Sequence, residues 1–159
     1  MAQKKTLTHL DESGRAQMVN IASKPPMRRR AVAECVLHAQ AETIDLILGD
    51  DREGRELEKG DALAAARLAG ILAAKRTGEL IPLCHPLPIE HAAVSFTRTG
   101  AETLHITAEA TITGRTGVEM EALTAVTIAA LTLYDMAKGV DKHMRVEGVR
   151  LVEKTKEPV

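Results

Sequence analysis

Between Thr103 and Ile112 the chain alternates strictly. Leu104, Ile106, Ala108, Ala110 and Ile112 fall on one side, and Thr103, His105, Thr107, Glu109 and Thr111 on the other. Period two is the repeat of a pleated strand with one buried face, so Glu102 to Thr113 is predicted as a strand. Ala92 to Arg98 precedes it as a second strand, joined through Thr99-Gly100-Ala101 as a hairpin. In Arg29 to Gln40, Val32, Val36 and His38 share one parity and Arg29, Ala33, Cys35 and Leu37 the other. That pattern predicts a strand buried on at least part of both faces. Met144 to Val152 reads as a closing strand, Met18 to Ile21 as a short one, and residues 1–17 as a mobile polar segment.

Helical spacing marks three other stretches. Ala41 to Leu48 gathers Ile44, Leu46, Ile47 and Leu48 and stops at Gly49, before a charged loop over Asp50 to Glu58. Asp61 has the character of an N-cap, its carboxylate able to accept from the first free amides. Leu63, Ala66, Gly70, Ile71 and Ala74 then recur at three- and four-residue steps towards Thr77-Gly78. Gly70 costs about 1 kcal/mol against alanine in a helix, and the expected return is close backbone packing. Val118 to Val140 is the longest helix and is apolar on nearly every side, so it needs two covers. A second subunit is the economical source of the second cover. The order strand, helix, helix, strand, strand, helix, strand predicts an α+β fold. It is expected to be a ferredoxin-like antiparallel sheet with helices on one face, oligomeric. The 159 residues are expected to form one domain, with its core over 18–154.

Composition narrows the function. Tyr134 and Phe96 are the only aromatics, and the formal net charge is −1. Stacking platforms and a global positive field are both lacking, which argues against nucleic acid as a partner. No apolar stretch reaches spanning length, and Met1 to Leu10 has no signal-like run, so a cytoplasmic protein is expected, with no membrane partner. Cys35 and Cys84 are expected as reduced thiols.

The candidate chemistry centres on Leu80-Ile81-Pro82-Leu83-Cys84-His85-Pro86-Leu87-Pro88. Three prolines hold Ile81, His85 and Leu87 out of helix and set one imidazole in a rigid apolar wall. Against a functional role stands a histidine simply bonded to backbone in a packed loop. Cys84, His85 and His91 lack the paired close spacings of structural zinc sites, so no metal is expected. Glu119 and Glu121 share a site only if Gly117 to Glu121 is extended or just entering the helix; otherwise they complement its dipole. Asp135 and Lys138 lie on one helical face. They are either an ordinary surface pair or, given Leu131, Leu133, Tyr134, Met136 and Ala137 around them, a partly desolvated acid/base pair. Lys59-Gly60-Asp61 places an ammonium at a helix mouth, a favourable anion seat, but no P-loop spacing exists. Of Arg28-Arg29-Arg30, Arg29 faces away from the other two, which read as a solvated basic edge. Lys75 and Arg76 complement a helix end.

Taken together, these segments resemble the cyclic pyranopterin monophosphate synthase family of molybdenum-cofactor biosynthesis. The blocks are Lys59-Gly60-Asp61, Ala69-Gly70-Ile71 with Ala74-Lys75-Arg76-Thr77, the Leu-Cys-His-Pro wall, Thr116 to Ala125, and Tyr134-Asp135-Met136 with Lys138. The likeness runs from about Leu7 to Lys154. Asn20 stands where the family commonly has aspartate and Cys35 often where it has glycine, and the charged loop before Lys59 is longer than usual. The resemblance implies a lyase that converts a 3′,8-cyclised dihydroguanosine triphosphate to cyclic pyranopterin monophosphate, with loss of pyrophosphate and without a cofactor. It implies Asp135, Lys59 and Lys138 as catalytic residues. Leu83, Cys84, His85, Met120 and Glu121 match substrate-binding positions, with Glu119 beside them and Arg29 in the strand that contacts phosphate; Lys75 and Arg76 are further candidates for the phosphates. It also implies a homohexamer, a trimer of dimers with sites between subunits; a transient contact with an upstream radical cyclase stays open. The rival reading is a non-catalytic ligand sensor on the same fold, which would release no pyrophosphate.

Overall fold

The computed structural model describes residues 9–49, 57 and 61–159. Four strands form one antiparallel sheet: β1 (Met27–His38), β2 (His91–Gly100), β3 (Thr103–Gly114) and β4 (Arg145–Glu157). Their spatial order is β2-β3-β1-β4. Helices α1 (Ala41–Leu48), α2 (Ala62–Lys75) and the single turn α3 (Thr77–Leu80) connect β1 to β2, and α4 (Glu119–Ala137) connects β3 to β4. The architecture is α+β, as the order of periodicities required.

Alternation decides which face is inside. Ala31, Ala33, Cys35 and Leu37 of β1 and Leu104, Ile106, Ala108, Ala110 and Ile112 of β3 are buried, and α4 packs over them. The opposite face is half-buried and carries ion pairs between strands: Glu34 with His105 and Arg150, and Arg30 with Glu109 and Glu153. Arg30 is therefore a cross-strand tie rather than a solvated edge, because two carboxylates flank it on neighbouring strands. Both cysteines are free. Burial pushes the Cys35 thiol up to about 12, as befits a small core side chain.

The helix ends follow local chemistry. Asp61 accepts from the Ala64 amide at 2.9 Å and caps α2. Gly49 closes α1 at φ 72°, the left-handed conformation that glycine adopts without a Cβ penalty. Asp141 is buried after α4, where its carboxylate accepts from the amides of Gln40 at 2.8 Å and His143 at 2.9 Å, tying the β1–α1 junction to the approach of β4.

Two expectations need correction. Met18 to Ile21 is not a strand: its groups bond to side chains and to a local turn at Asn20 instead of to a ladder. Residues 9–17 form a turn held by Asp11, with Leu10 bridging Ala16 across it. The second cover of α4 is α2 of the same chain, so its all-round apolar character does not by itself demand a partner. That packing needs small residues. A Cβ added at Gly70 would lie 2.8 Å from Val94 Cγ2 and 2.9 Å from the Ala125 carbonyl oxygen, a backbone atom that cannot turn aside. Gly70→Ala is therefore expected to lower stability by about 1–3 kcal/mol despite its better helix propensity, as read from urea unfolding midpoints.

Candidate active site

Two segments far apart in the chain build one cleft. The first is the proline wall. Ile81 accepts from the Cys84 amide at 3.0 Å, closing a turn in which Pro82 holds the position that favours its locked φ. Beyond it, Pro86 rests against Gly78. A Cβ there would stand 2.9 Å from Pro86 Cα and 3.2 Å from the His85 carbonyl oxygen, so only glycine lets the wall lie this close to α3. The second segment is the entry to α4, where β3 runs through Thr116 and Gly117 into Glu119, Met120 and Glu121. Between them lies a cleft of about 360 Å³, lined by Leu83, Cys84, His85, Glu119, Met120 and Glu121, with Ile81, Leu87, Thr116, Gly117 and His9 completing it.

Glu121 is its unusual member. Its side chain is 2% exposed. Oε1 faces the Cys84 thiol at 3.8 Å, while Oε2 has no hydrogen-bond partner among the described residues. No lysine or arginine among those residues lines the cleft. Burial raises the Glu121 carboxyl above its ordinary range, and the nearby Glu119 charge adds to this. Burial likewise raises the Cys84 thiol, followed by the charge of Glu121, so this thiol is a hydrogen-bond donor more than a nucleophile.

A second cleft of about 190 Å³ adjoins the first through Gly117 and Glu119. Arg29, Arg30, Lys154 and Lys156 line it and make it cationic. Lys154 Nζ lies 3.2 Å from Glu119 Oε1. Glu119 and Glu121 thus diverge at the start of the helix, one towards the cations and one inward. Arg29 uses Nε to donate to the Gly114 carbonyl oxygen at 3.0 Å, so it also clamps the end of β3. Lys154 and His9 were not singled out from sequence. The parity of Lys154 and Lys156 in the last strand is a signal for the former; none marks His9.

The remaining candidates lie elsewhere. Asp135 and Lys138 pair at 2.6 Å with both side chains more than half exposed. Asp135 is fourteen residues from Glu121 along α4, or about 21 Å. The expected desolvated pair is therefore a surface pair in the single chain. The Asp135 carboxylate, by hydrogen bond and by charge, raises rather than lowers the Lys138 ammonium. Its apolar neighbours Leu133 and Ala137 turn inward, leaving the face with Leu131 to solvent. Lys75 and Arg76 are exposed at the end of α2 and line neither cleft. Lys59 and most of the charged loop lie outside the described residues. Among the described residues, no three metal-ligating side chains converge.

Glu121 sets a pH dependence. Above the ordinary carboxyl value of 4.5 the unfolded chain releases this proton while the folded chain retains it. The folded state then binds more protons, so this group makes stability fall as pH rises from that value to the raised one. Glu121→Gln should remove this component, flattening the dependence of unfolding free energy on pH above 4.5. Urea titrations across that range test it, and an unchanged slope contradicts the buried-acid description.

Residues 18–157 match the model of the MoaC family. A cyclic pyranopterin monophosphate synthase of Listeria monocytogenes serotype 4a (strain HCC23) is 52% identical over 153 residues, 96% of this chain and 92% of the relative. Proteins of the same name from Chloroflexus aggregans and Thermomicrobium roseum are 53% and 54% identical over 149 residues, each spanning 93% of this chain and 87% of the relative. With a family match over residues 18–157 and relatives above half identity across more than nine-tenths of its length, the chain belongs to the MoaC family.

Proposed function

We propose that this chain is a phosphorus–oxygen lyase that makes cyclic pyranopterin monophosphate in molybdenum-cofactor biosynthesis. The relatives' shared name supplies the product. The resemblance noted from sequence supplies the substrate, 3′,8-cyclised dihydroguanosine triphosphate, and the leaving group, pyrophosphate. The observation that carries the reading is the meeting of an apolar, acid-bearing cleft with a cationic one across Gly117 and Glu119. The apolar side chains of Leu83 and Met120 suit a ring system, and Arg29, Lys154 and Lys156 suit phosphate oxygens.

The chemistry requires proton transfers while the purine five-membered ring opens and a pyrazine closes. A ribose-derived hydroxyl then attacks the α-phosphorus and pyrophosphate departs. Glu121, its carboxyl raised by burial, hydrogen-bonds the bound ring, and the cations of the second cleft stabilise the leaving group. Lys59 and Lys138 are assigned as acid/base groups, with Asp135 setting their protonation and geometry. In the single chain Asp135 strengthens the hold of Lys138 on its proton. Action as a base therefore needs the desolvation that a covering subunit brings. A ferredoxin-like chain forming one domain, assembled as a homohexamer of three dimers with sites between copies, supplies that cover. It also joins cleft and pair, which one copy holds about 21 Å apart. The protein is placed in the cytoplasm, where an upstream radical cyclase would hand over its product.

Lys138→Ala and Asp135→Asn are each expected to lower pyrophosphate release from the cyclised nucleotide by about a hundredfold or more. Folded variants with near wild-type turnover would discard the assignment. Co-assembling inactive Glu121→Ala and Asp135→Asn chains should restore part of the activity, and no recovery argues that one copy supplies both residues.

A further inference from the structure

The imidazole of His85 is held by a part of the chain remote from its own loop. Its Nε2 lies 2.9 Å from the main-chain carbonyl oxygen of Val19. A carbonyl oxygen only accepts, so Nε2 carries the hydrogen and donates it. In the neutral ring the other nitrogen, Nδ1, then presents a bare lone pair.

The segment supplying that carbonyl is a built strap. Leu10 bridges Ala16, and Asp11 Oδ1 accepts from the amides of Ser13 at 2.9 Å and Arg15 at 2.8 Å. Asn20 Oδ1 accepts from the Ala22 amide at 2.9 Å, turning the chain directly after Val19. Arg115 Nη1 then donates to the Ala22 carbonyl oxygen at 2.9 Å. Val19 is thus placed between a tether to the proline wall and a tether to the β3–α4 connection, the two segments that form the cleft. His9, from the same strap, reaches the cleft lining.

We propose that the strap positions His85: the Val19 carbonyl fixes the Nε2–H tautomer, so that the neutral imidazole meets its ligand through Nδ1 as a hydrogen-bond acceptor. It then recognises a donor, a ring N–H or a ribose O–H, and offers nothing to a substrate carbonyl. Val19, Asn20 and Arg115 are positioning residues, acting through His85. The identity of the ligand rests on the function proposed above; the tautomer does not.

The test uses the full chain labelled with 15N in its histidine rings, free of substrate. Two-bond proton–nitrogen correlations distinguish the tautomers; His85 is assigned by the signals lost in His85→Gln. The wild type should show the Nε2–H pattern, and an Nδ1–H pattern overturns the proposal whatever the variants do. An Asn20→Ala/Arg115→Ala double variant, its thermal unfolding checked, should show a mixture of tautomers. Its kcat on the cyclised nucleotide should fall ten- to a hundredfold or thereabouts, the usual cost of removing an orienting partner from a functional imidazole, with little change in KM. Asn20→Asp, which retains the accepting oxygen, should restore both readouts when paired with native Arg115. A folded double variant that retains the pure Nε2–H pattern and full kcat assigns the strap a merely structural part.

Discussion

The close approach of α2 and α4 at Gly70 is the constraint from which the rest of the molecule follows. Ala66, Ala73 and Ala74 on α2 and Ala122, Ala125, Ala129 and Ala130 on α4 are buried, and Gly70 lets α2 rest against the α4 backbone itself. Small side chains bury little area each, so stability comes from close packing over a long seam rather than from a few large groups. The arrangement makes α4 a rigid spine between sheet and helix. Its first turn holds the glutamates of the cleft and its last turn holds Asp135 and Lys138.

A second glycine repeats the device at the site. Gly78 lets Pro86 and the His85 carbonyl lie against α3, and three prolines keep the wall from relaxing. The rigid wall and the rigid spine meet at Cys84 and Glu121. Placing a carboxyl there, with no cation beside it among the described residues, is destabilising when the group ionises, and a protein that retains it has a use for a proton or for an unmet acceptor. The neighbouring cleft has the opposite character, and Glu119 paired with Lys154 separates the two.

Much of this was legible in residues alone. Strict alternation in β3 named the core face residue by residue, and Asp61 and Gly49 marked helix ends because caps are local chemistry. Leu83, Cys84, His85 and Glu121 were recognisable because proline geometry and a specific sequence block are both local signals. The surface character of the Asp135–Lys138 pair was not legible, since the same apolar neighbours fit a buried or an exposed face until the helix rotation is known. Nor was the cover of α4 by α2, because amphipathicity says that a face must be buried but not by what. The strap was misread for a related reason: its carbonyls bond to side chains such as His85 and Arg115, and no periodicity records such partners.

The sequence by itself determined the four sheet strands and three main helices to within a few residues, the α+β class and the membership of most cleft residues, since each depends on backbone propensity, period or a contiguous motif. Tertiary structure alone decided that Glu121 turns inward, with no cation beside it among the described residues, while Glu119 turns towards Lys154. It alone placed Val19 on the ring of His85, and left the Asp135–Lys138 pair on the surface of the single chain. Those outcomes depend on which groups exclude water from one another across tens of residues, and burial and long-range hydrogen bonds are properties of the packed chain rather than of any stretch of it.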